Sequence, residues 1–232
     1  MNSTYLNIKL RESYSFQFSY HFLIEQDMQK SILYRSSFIY ILGLKLYHGI
    51  NFYKRYAYMA SFVKKGDKVL EPGCGPAILA DFLPKTVSYS GFDTNENFVK
   101  YAISKKRNVF YGNALNAENY SLSDVVVACD ILHHLKPADR KKFIKLCFRS
   151  AKKSFIICDP GGKEYSNTFF SRIKKRLDEW SEQDGTSDFK AHYHLTDTQL
   201  LKEIDHGFDA IPRTVKRDVK RFGEDLIAIF FK

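Results

Sequence analysis

The stretch of sequence that decides the fold is Lys68-Val69-Leu70-Glu71-Pro72-Gly73-Cys74-Gly75-Pro76-Ala77. It indicates a short apolar strand, an acid, a glycine-rich turn and the start of a helix. Gly73 and Gly75 lack the Cβ atoms that would keep a ligand away from the backbone at the carboxyl end of a parallel strand. The following helix start offers backbone N–H groups without partners inside the helix. The stretch therefore predicts a ligand site at the end of the first strand, and Glu71 suits a cationic ligand better than a pyrophosphate.

A dinucleotide is the main alternative ligand for such a turn. Its fingerprint, G-x-G-x-x-G, requires a third glycine three residues after the second. Counted from Gly73, that position is Ile78. The pattern fails there, so NAD and FAD are disfavoured.

Short β-like runs alternate with helical stretches beyond residue 66. Strands are predicted at 68–70, 87–92, 109–111, 125–128 and 155–158, with a closing pair near 210–219 and 226–231. Helices are predicted at 77–83, 95–105, 138–151 and 197–204, the last opened by a Thr196-x-x-Gln199 capping box. Such alternation is typical of an α/β fold. We predict a doubly wound, seven-stranded, mostly parallel sheet with helices on both faces and an antiparallel final strand.

The first 62 residues differ from the rest in their hydrophobic pattern and aromatic content. Apolar residues recur there at helical spacing, and tyrosines and phenylalanines are frequent. We predict an N-terminal helical lid or extension over 1–62, and a cofactor-binding domain over 63–232. Two interpretations of the aromatic residues stay open: they form an apolar lid that covers a prenyl or acyl chain, or they are ordinary helix-packing residues.

The glycine turn resembles that of the class I S-adenosylmethionine-dependent methyltransferases, whose motif after the first strand is E/D-x-G-x-G-x-G. This chain departs from the motif only at Ala77, which stands in place of the last glycine and keeps a small side chain. The resemblance implies S-adenosyl-L-methionine as cofactor and methyl transfer as the reaction. It places the cofactor against Glu71, Gly73, Cys74 and Gly75.

Further cofactor contacts are expected at the ends of the next two strands. Asp93, with Thr94 beside it, follows the second strand 22 residues after Glu71, about where an acid can accept both ribose hydroxyls of an adenosyl group. A turn or N-cap role is the alternative for Asp93. Asn113 and Ala114 stand where the family has a G-D-A-like tripeptide against the adenine, and an amide can both donate and accept there. A plain Gly-Asn turn is the alternative for Asn113.

The fourth strand leads into a stretch that resembles the family segment beside the methyl group: Asp130-Ile131-Leu132-His133-His134-Leu135. Asp130 is then a candidate for the methionine amino end or the substrate, and Ile131 for the cofactor. His133 or His134 could act as general base, which only a neutral alcohol acceptor would need. A helix-terminal or core role is the alternative for either histidine.

Composition limits the partners and the location. The net charge of +10 is spread over the first two thirds of the chain and permits nucleic acid, anionic lipid or a phosphorylated substrate. None of the four cysteines forms a C-x-x-C pair, so no metal site is predicted and a reducing cytoplasm is expected. The longest early apolar run, 38–44, is far shorter than the roughly 20 residues of a spanning helix, whereas peripheral membrane contact is permitted.

The predicted function is methyl transfer to oxygen or nitrogen of a small-molecule or lipid-linked metabolite. An RNA methyltransferase is the alternative that the charge invites. The sequence lacks the N-P-P-[YF] pattern of enzymes that methylate base amines, and it lacks the Pro-Cys pair of enzymes that methylate cytosine carbon. Within the RNA alternative, ribose methylation therefore stays open. A non-catalytic module that keeps the cofactor pocket is the third candidate.

Overall fold

The computed structural model describes residues 32–161 and 195–232. The first half of the predicted N-terminal extension, residues 1–31, lies outside the described residues. In the described part the chain forms one seven-stranded sheet with helices packed on it. Among these residues, no helix is both long and apolar enough to cross a membrane.

The strands are β1 Lys68–Pro72, β2 Ser88–Asp93, β3 Val109–Tyr111, β4 Ser123–Cys129, β5 Ala151–Pro160, β6 Arg217–Phe222 and β7 Asp225–Phe231. The described α-helices are α1 Ile32–Arg35, α2 Ser37–His48, α3 Ile50–Ala60, α4 Glu96–Ser104, α5 Pro137–Ser150 and α6 Asp197–Asp205. Short 3₁₀ turns lie at Ile78–Asp81, Ala117–Asn119, Leu132–His134 and Gly207–Asp209.

The sheet has the strand order β3-β2-β1-β4-β5-β7-β6. The first five strands pair in parallel, and β7 runs antiparallel between β5 and β6. The predicted sheet is therefore confirmed, including its antiparallel final strand. The chain order reverses direction between β1 and β4, and ligands of open α/β sheets bind at the carboxyl ends of strands at such a switch point.

Two hydrophobic clusters bury the two faces of the sheet. One joins the sheet to α5 and α6, with Phe143, Ile144 and Leu200 among its members. The other joins it to α3, which contributes Phe52 and Met59. Since α3 belongs to the predicted extension, that extension shares the core of the sheet.

Two elements differ from the prediction. The helix predicted at 77–83 is only the 3₁₀ turn Ile78–Asp81, because Ala77 enters it in a left-handed conformation (φ 58°) that an α-helix cannot continue from. The strand predicted at 210–219 begins only at Arg217; Pro212 has no N–H to give to a ladder. The capping box is confirmed: Gln199 N donates to Thr196 Oγ1 at 3.2 Å, and Thr196 N to Gln199 Oε1 at 2.9 Å.

Candidate cofactor and methyl-transfer site

The glycine turn after β1 is held against the ends of two other strands. The N–H groups of Gly73 and Cys74 donate to the Phe92 carbonyl at 2.8 and 3.0 Å. Gly73 has φ +67°, and a Cβ there would lie 2.1 Å from Ile131 Cδ1, which follows β4. A side chain here would be strained by the positive φ and would displace the side chain of Ile131, so glycine favours the close approach of β1, β2 and the Ile131 segment.

Ala77 is the position where this chain departs from the family motif. Its φ of 58° lies in the left-handed region, which costs an ordinary residue about 1–2 kcal/mol. The methyl group is fully buried in a small cluster with Val99, Ala102 and Val109. The turn thus keeps the backbone shape that the family obtains with glycine, and its methyl group packs against α4.

Asp93 fastens the turn to α4. Its Oδ2 accepts from Gly75 N at 2.8 Å and its Oδ1 from Asn95 N at 2.7 Å. The N-cap of α4 is Asn95, whose side chain accepts from Asn97 N and Phe98 N. Asp93 is therefore not the helix cap, and its carboxylate lies at the carboxyl end of β2 beside the glycine turn. The bond from Asn95 N makes the local turn that is the alternative role for Asp93. The role of Asp93 toward the ribose hydroxyls stays a prediction.

Glu71 is buried, with 3% of its surface exposed, and the hydroxyl of Tyr89 donates to its Oε2 at 2.5 Å. Burial raises the pKa of Glu71 from 4.5 to about 8, against the lowering effect of the Tyr89 hydrogen bond and of Arg107. The carboxyl is therefore largely protonated near neutral pH and would ionise when a cationic group arrives. That behaviour suits a sulfonium and ammonium ligand.

Replacing Glu71 by Gln should change how stability depends on pH. A carboxyl whose pKa is raised on folding holds its proton more tightly in the folded state, so wild-type stability should fall as pH rises from about 4.5 to about 8 and then level off. Across that window the loss should be on the order of 3 kcal/mol. The Gln side chain keeps an acceptor for Tyr89 and should remove this slope. Chemical denaturation at pH 5, 6.5 and 8 measures it, with the exposed Glu203→Gln as control; parallel curves for wild type and E71Q would contradict the assignment.

The remaining predicted cofactor residues lie at the same edge of the sheet. β3 pairs with β2 so that Tyr111 stands opposite Asp93, and the Gly112 N–H donates to the Asp93 carbonyl at 3.0 Å. Asn113 Oδ1 accepts from Leu115 N at 2.7 Å, which makes a local turn. The other predicted cofactor contacts differ in exposure. Thr94 is exposed, whereas Cys74, Ala114 and Ile131 are buried.

Asp130 is engaged by a residue that sequence reasoning missed. Arg55 of α3 gives it a two-pronged contact, Nη2 to Oδ2 at 2.7 Å and Nη1 to Oδ1 at 3.0 Å. Arg55 Nη1 also lies 3.3 Å from Asp225 Oδ2, which His48 Nδ1 approaches at 3.1 Å. Burial would raise the pKa of Asp130, but the Arg55 guanidinium, His48 and His133 hold it below the usual value. The end of β4 thus presents a fixed pair of opposite charges.

A signal for Arg55 was present in the sequence. It shares one face of α3 with two buried apolar residues, Phe52 three positions before it and Met59 four positions after it. A lone cation inside an apolar stripe needs a buried partner. The sequence does not show which acid supplies it.

The two histidines after β4 have different surroundings. His133 Nδ1 lies 3.0 Å from Asp159 Oδ1, at the end of β5, and Asp159 Oδ2 accepts from Leu132 N at 2.7 Å. His134 packs its ring against that of His133, with centroids 4.2 Å apart, and meets Tyr34 edge-on at 6.2 Å. Asp159 fixes a tautomer of His133: with Nδ1–H directed at Asp159, the lone pair resides on Nε2.

The N-terminal helices are tied to this edge of the sheet. Asn95 Nδ2 donates to the Tyr34 carbonyl at 3.0 Å, and Ser37 Oγ donates to the Asn97 carbonyl at 3.2 Å. The ring of Tyr40 packs on Phe98 with centroids 4.7 Å apart. The acids, the glycine turn, the two histidines and these aromatic rings therefore gather around the carboxyl ends of β1 to β5.

Comparison with known proteins agrees with this arrangement. Residues 70–158 match the family model described as "Methyltransferase domain". The chain is similar to a solved S-adenosylmethionine-dependent methyltransferase from Archaeoglobus fulgidus (17% identity, 83% of this chain and 99% of that chain, TM-score 0.57). It is also similar to the methyltransferase domain of a bacterial CtHen1 protein (14%, 77% and 97%, 0.58). A third is the plantazolicin methyltransferase BamL in complex with a triazolic desmethyl analogue and S-adenosylhomocysteine (13%, 76% and 81%, 0.54). The search of curated proteins found no match.

The fold, the glycine turn at the switch point and the match over residues 70–158 together support a class I S-adenosylmethionine-dependent methyltransferase. Residues 70–158 carry the methyltransferase domain, which supports an enzyme that uses S-adenosyl-L-methionine as its cofactor. The residues present fit that cofactor, since carboxylates suited to a cationic adenosyl ligand stand where the turn brings the backbone close. The roles of individual site residues remain predictions.

Proposed function

We propose that the chain transfers the methyl group of S-adenosylmethionine to an oxygen or nitrogen of a small-molecule or lipid-linked metabolite. The observation that carries this proposal is the His133–Asp159 pair at the ends of β4 and β5, 3.0 Å apart. It supplies a general base of fixed tautomer, which a hydroxyl acceptor requires. Both side chains are nearly buried, at 7% and 4% exposure, so the base works away from bulk water.

Each side chain has one task in this scheme. When bound, S-adenosylmethionine supplies a methyl group already activated on a sulfonium. Glu71 and Asp93 hold the positive adenosyl ligand. Asp130, which Arg55 keeps ionised and in place, offers its partly exposed carboxylate to the ammonium of the amino-acid end. Asp159 orients His133, whose Nε2 takes the acceptor proton. The protein therefore contributes alignment, water exclusion and proton removal.

The aromatic cover favours a compact acceptor. Tyr34 is buried and contacts both Phe98 and His134, at centroid distances of 5.8 and 6.2 Å. We expect the helices that carry Tyr34 and Tyr40 to act as part of the predicted lid over 1–62, which would narrow the approach to the methyl group. A small molecule or a single lipid-linked head enters such a site more readily than a base-paired nucleic acid.

Transfer of radiolabelled methyl from S-adenosylmethionine into a fractionated cell extract tests the proposal. We expect label in the small-molecule or solvent-extractable fraction, and mass spectrometry of that fraction then identifies the acceptor. Label in the RNA fraction would overturn the metabolite proposal and favour methylation of RNA ribose. Binding of S-adenosylhomocysteine without label in any fraction would favour a non-catalytic module.

A further inference from the structure

An exposed apolar stripe runs along α2 and into α3. Phe38, Leu42, Leu46, Ile50 and Tyr53 are exposed by 71%, 46%, 76%, 65% and 48%. Spacings of four residues place Phe38, Leu42 and Leu46 on one side of α2. Ile50 and Tyr53, three residues apart, lie on one side of α3, beyond the break in the helix at Gly49. Isolated exposed apolar residues are ordinary, whereas a contiguous set of this kind marks an interaction surface.

The charges around the stripe are all positive. The sequence holds no acid between Asp27 and Asp67. Arg35, Lys45 and Lys54 are exposed on the same two helices or at their start. Among the described residues, neither Lys45 nor Lys54 forms an ion pair, and the Lys45 ammonium lies over the Phe52 and Tyr53 rings at 5.8 and 5.9 Å.

The acids that reach these helices contact them elsewhere. Glu224 accepts a hydrogen bond from the Tyr47 hydroxyl, and Asp218 accepts one from Tyr58 at 3.1 Å. Both acids belong to the β6–β7 hairpin. Among the described residues, Lys45 and Lys54 beside the stripe therefore have no acid partner.

We propose that this stripe docks on an anionic lipid surface. Apolar side chains interleaved with lysine and arginine, without acids, are what a helix lying in a membrane interface presents. Anionic headgroups attract the cations, and the stripe enters the boundary of the acyl chains. A second copy of the chain is a poorer occupant, because a symmetric contact would bring the same cations together.

The opposite side of the same helices contacts the candidate site. Tyr40 of α2 packs on Phe98, and Arg55 of α3 pairs with Asp130. Docking would therefore hold the candidate site about one helix diameter from the lipid surface, which favours a lipid-linked acceptor. This last step rests on the proposed function, whereas the docking itself does not.

Vesicle sedimentation of the full chain tests the docking. We expect binding to phosphatidylcholine vesicles that contain about a third phosphatidylglycerol, and at least about tenfold weaker partitioning onto pure phosphatidylcholine or at high salt. Leu46→Glu should weaken the anionic binding by about tenfold or more. The matched control is Leu122→Glu, a leucine exposed by 64% outside these helices, which should bind like wild type. Lys45→Gln with Lys54→Gln should lower the salt sensitivity.

Equal effects of Leu46→Glu and Leu122→Glu, or no binding to the anionic vesicles, would overturn the docking. A dimer in sedimentation that Leu46→Glu dissociates would assign the stripe to a second copy instead. S-adenosylhomocysteine affinity, measured by calorimetry on the same variants, should not change. If the protein binds the vesicles but its methyl acceptor proves not to be lipid-linked, the docking stands and only the assignment of a lipid-linked acceptor falls.

Discussion

Arg55→Ala should lower the free energy of unfolding by about 3–5 kcal/mol, because it leaves buried carboxylates without their counter-charge. Arg55 is fully buried, and its guanidinium contacts Asp130 and Asp225. For a domain of this size, the loss corresponds to a fall in melting temperature of about 10 °C. Thermal and chemical denaturation measure it directly.

Two variants separate the charge from its geometry. Arg55→Lys keeps the positive charge but cannot make the two-pronged contact, so its loss should be intermediate. Lys54→Ala, at the exposed neighbouring position, should stay within about 0.5 kcal/mol of wild type. If Arg55→Ala matched Lys54→Ala, the buried pair would have no part in holding α3 to the sheet.

His133→Asn should lower kcat for methyl transfer by about 10²–10⁴-fold, the usual contribution of a positioned general base. The affinity for S-adenosylhomocysteine should remain unchanged, because His133 acts on the acceptor. Asp159→Asn should lower kcat by a smaller factor, since it leaves the ring in place and removes the charge that fixes its tautomer. The assay uses the acceptor fraction found by methyl labelling.

His134→Asn is the matched control for that experiment. Asp159 contacts the ring of His133, whereas the described contacts of His134 are with the rings of His133 and Tyr34. We therefore expect substitution of His134 to affect kcat much less. If His133→Asn and His134→Asn left kcat within about threefold of wild type, the acceptor would need no base. An amine acceptor would then replace the hydroxyl in the proposed function.

The sequence allowed prediction of those parts of the site that depend on local backbone. The order of strand, acid and glycines predicts the tight turn in which Gly73 and Gly75 lie. Asp93 ends β2, which pairs with β1 and therefore lies beside this turn. Parallel strands bring their carboxyl ends to one edge, so spacing along the chain becomes proximity in space.

The parts that could not be predicted depend on tertiary contacts. Arg55 and Asp130 are 75 positions apart, and His133 and Asp159 are 26 apart, so no local spacing pairs them. The distinction between His133 and His134 also needs the position of Asp159 at the end of β5. The conformation of Ala77 could not be predicted either. Alanine usually favours an α-helix, but Ala77 is left-handed and the expected α-helix does not form.

Calorimetry of S-adenosylhomocysteine binding to wild type and to Asp93→Ala tests the central claim most directly. Asp93 holds Gly75 and Asn95, and charge-assisted hydrogen bonds to ribose hydroxyls are each worth about 1.5–3 kcal/mol, so affinity should fall at least about tenfold. Asp205→Ala, an exposed acid on α6, is the control, and unfolding curves verify that each variant is folded. Saturable binding to wild type that weakens only in Asp93→Ala is the predicted result; equal affinity in all three proteins would place the cofactor elsewhere.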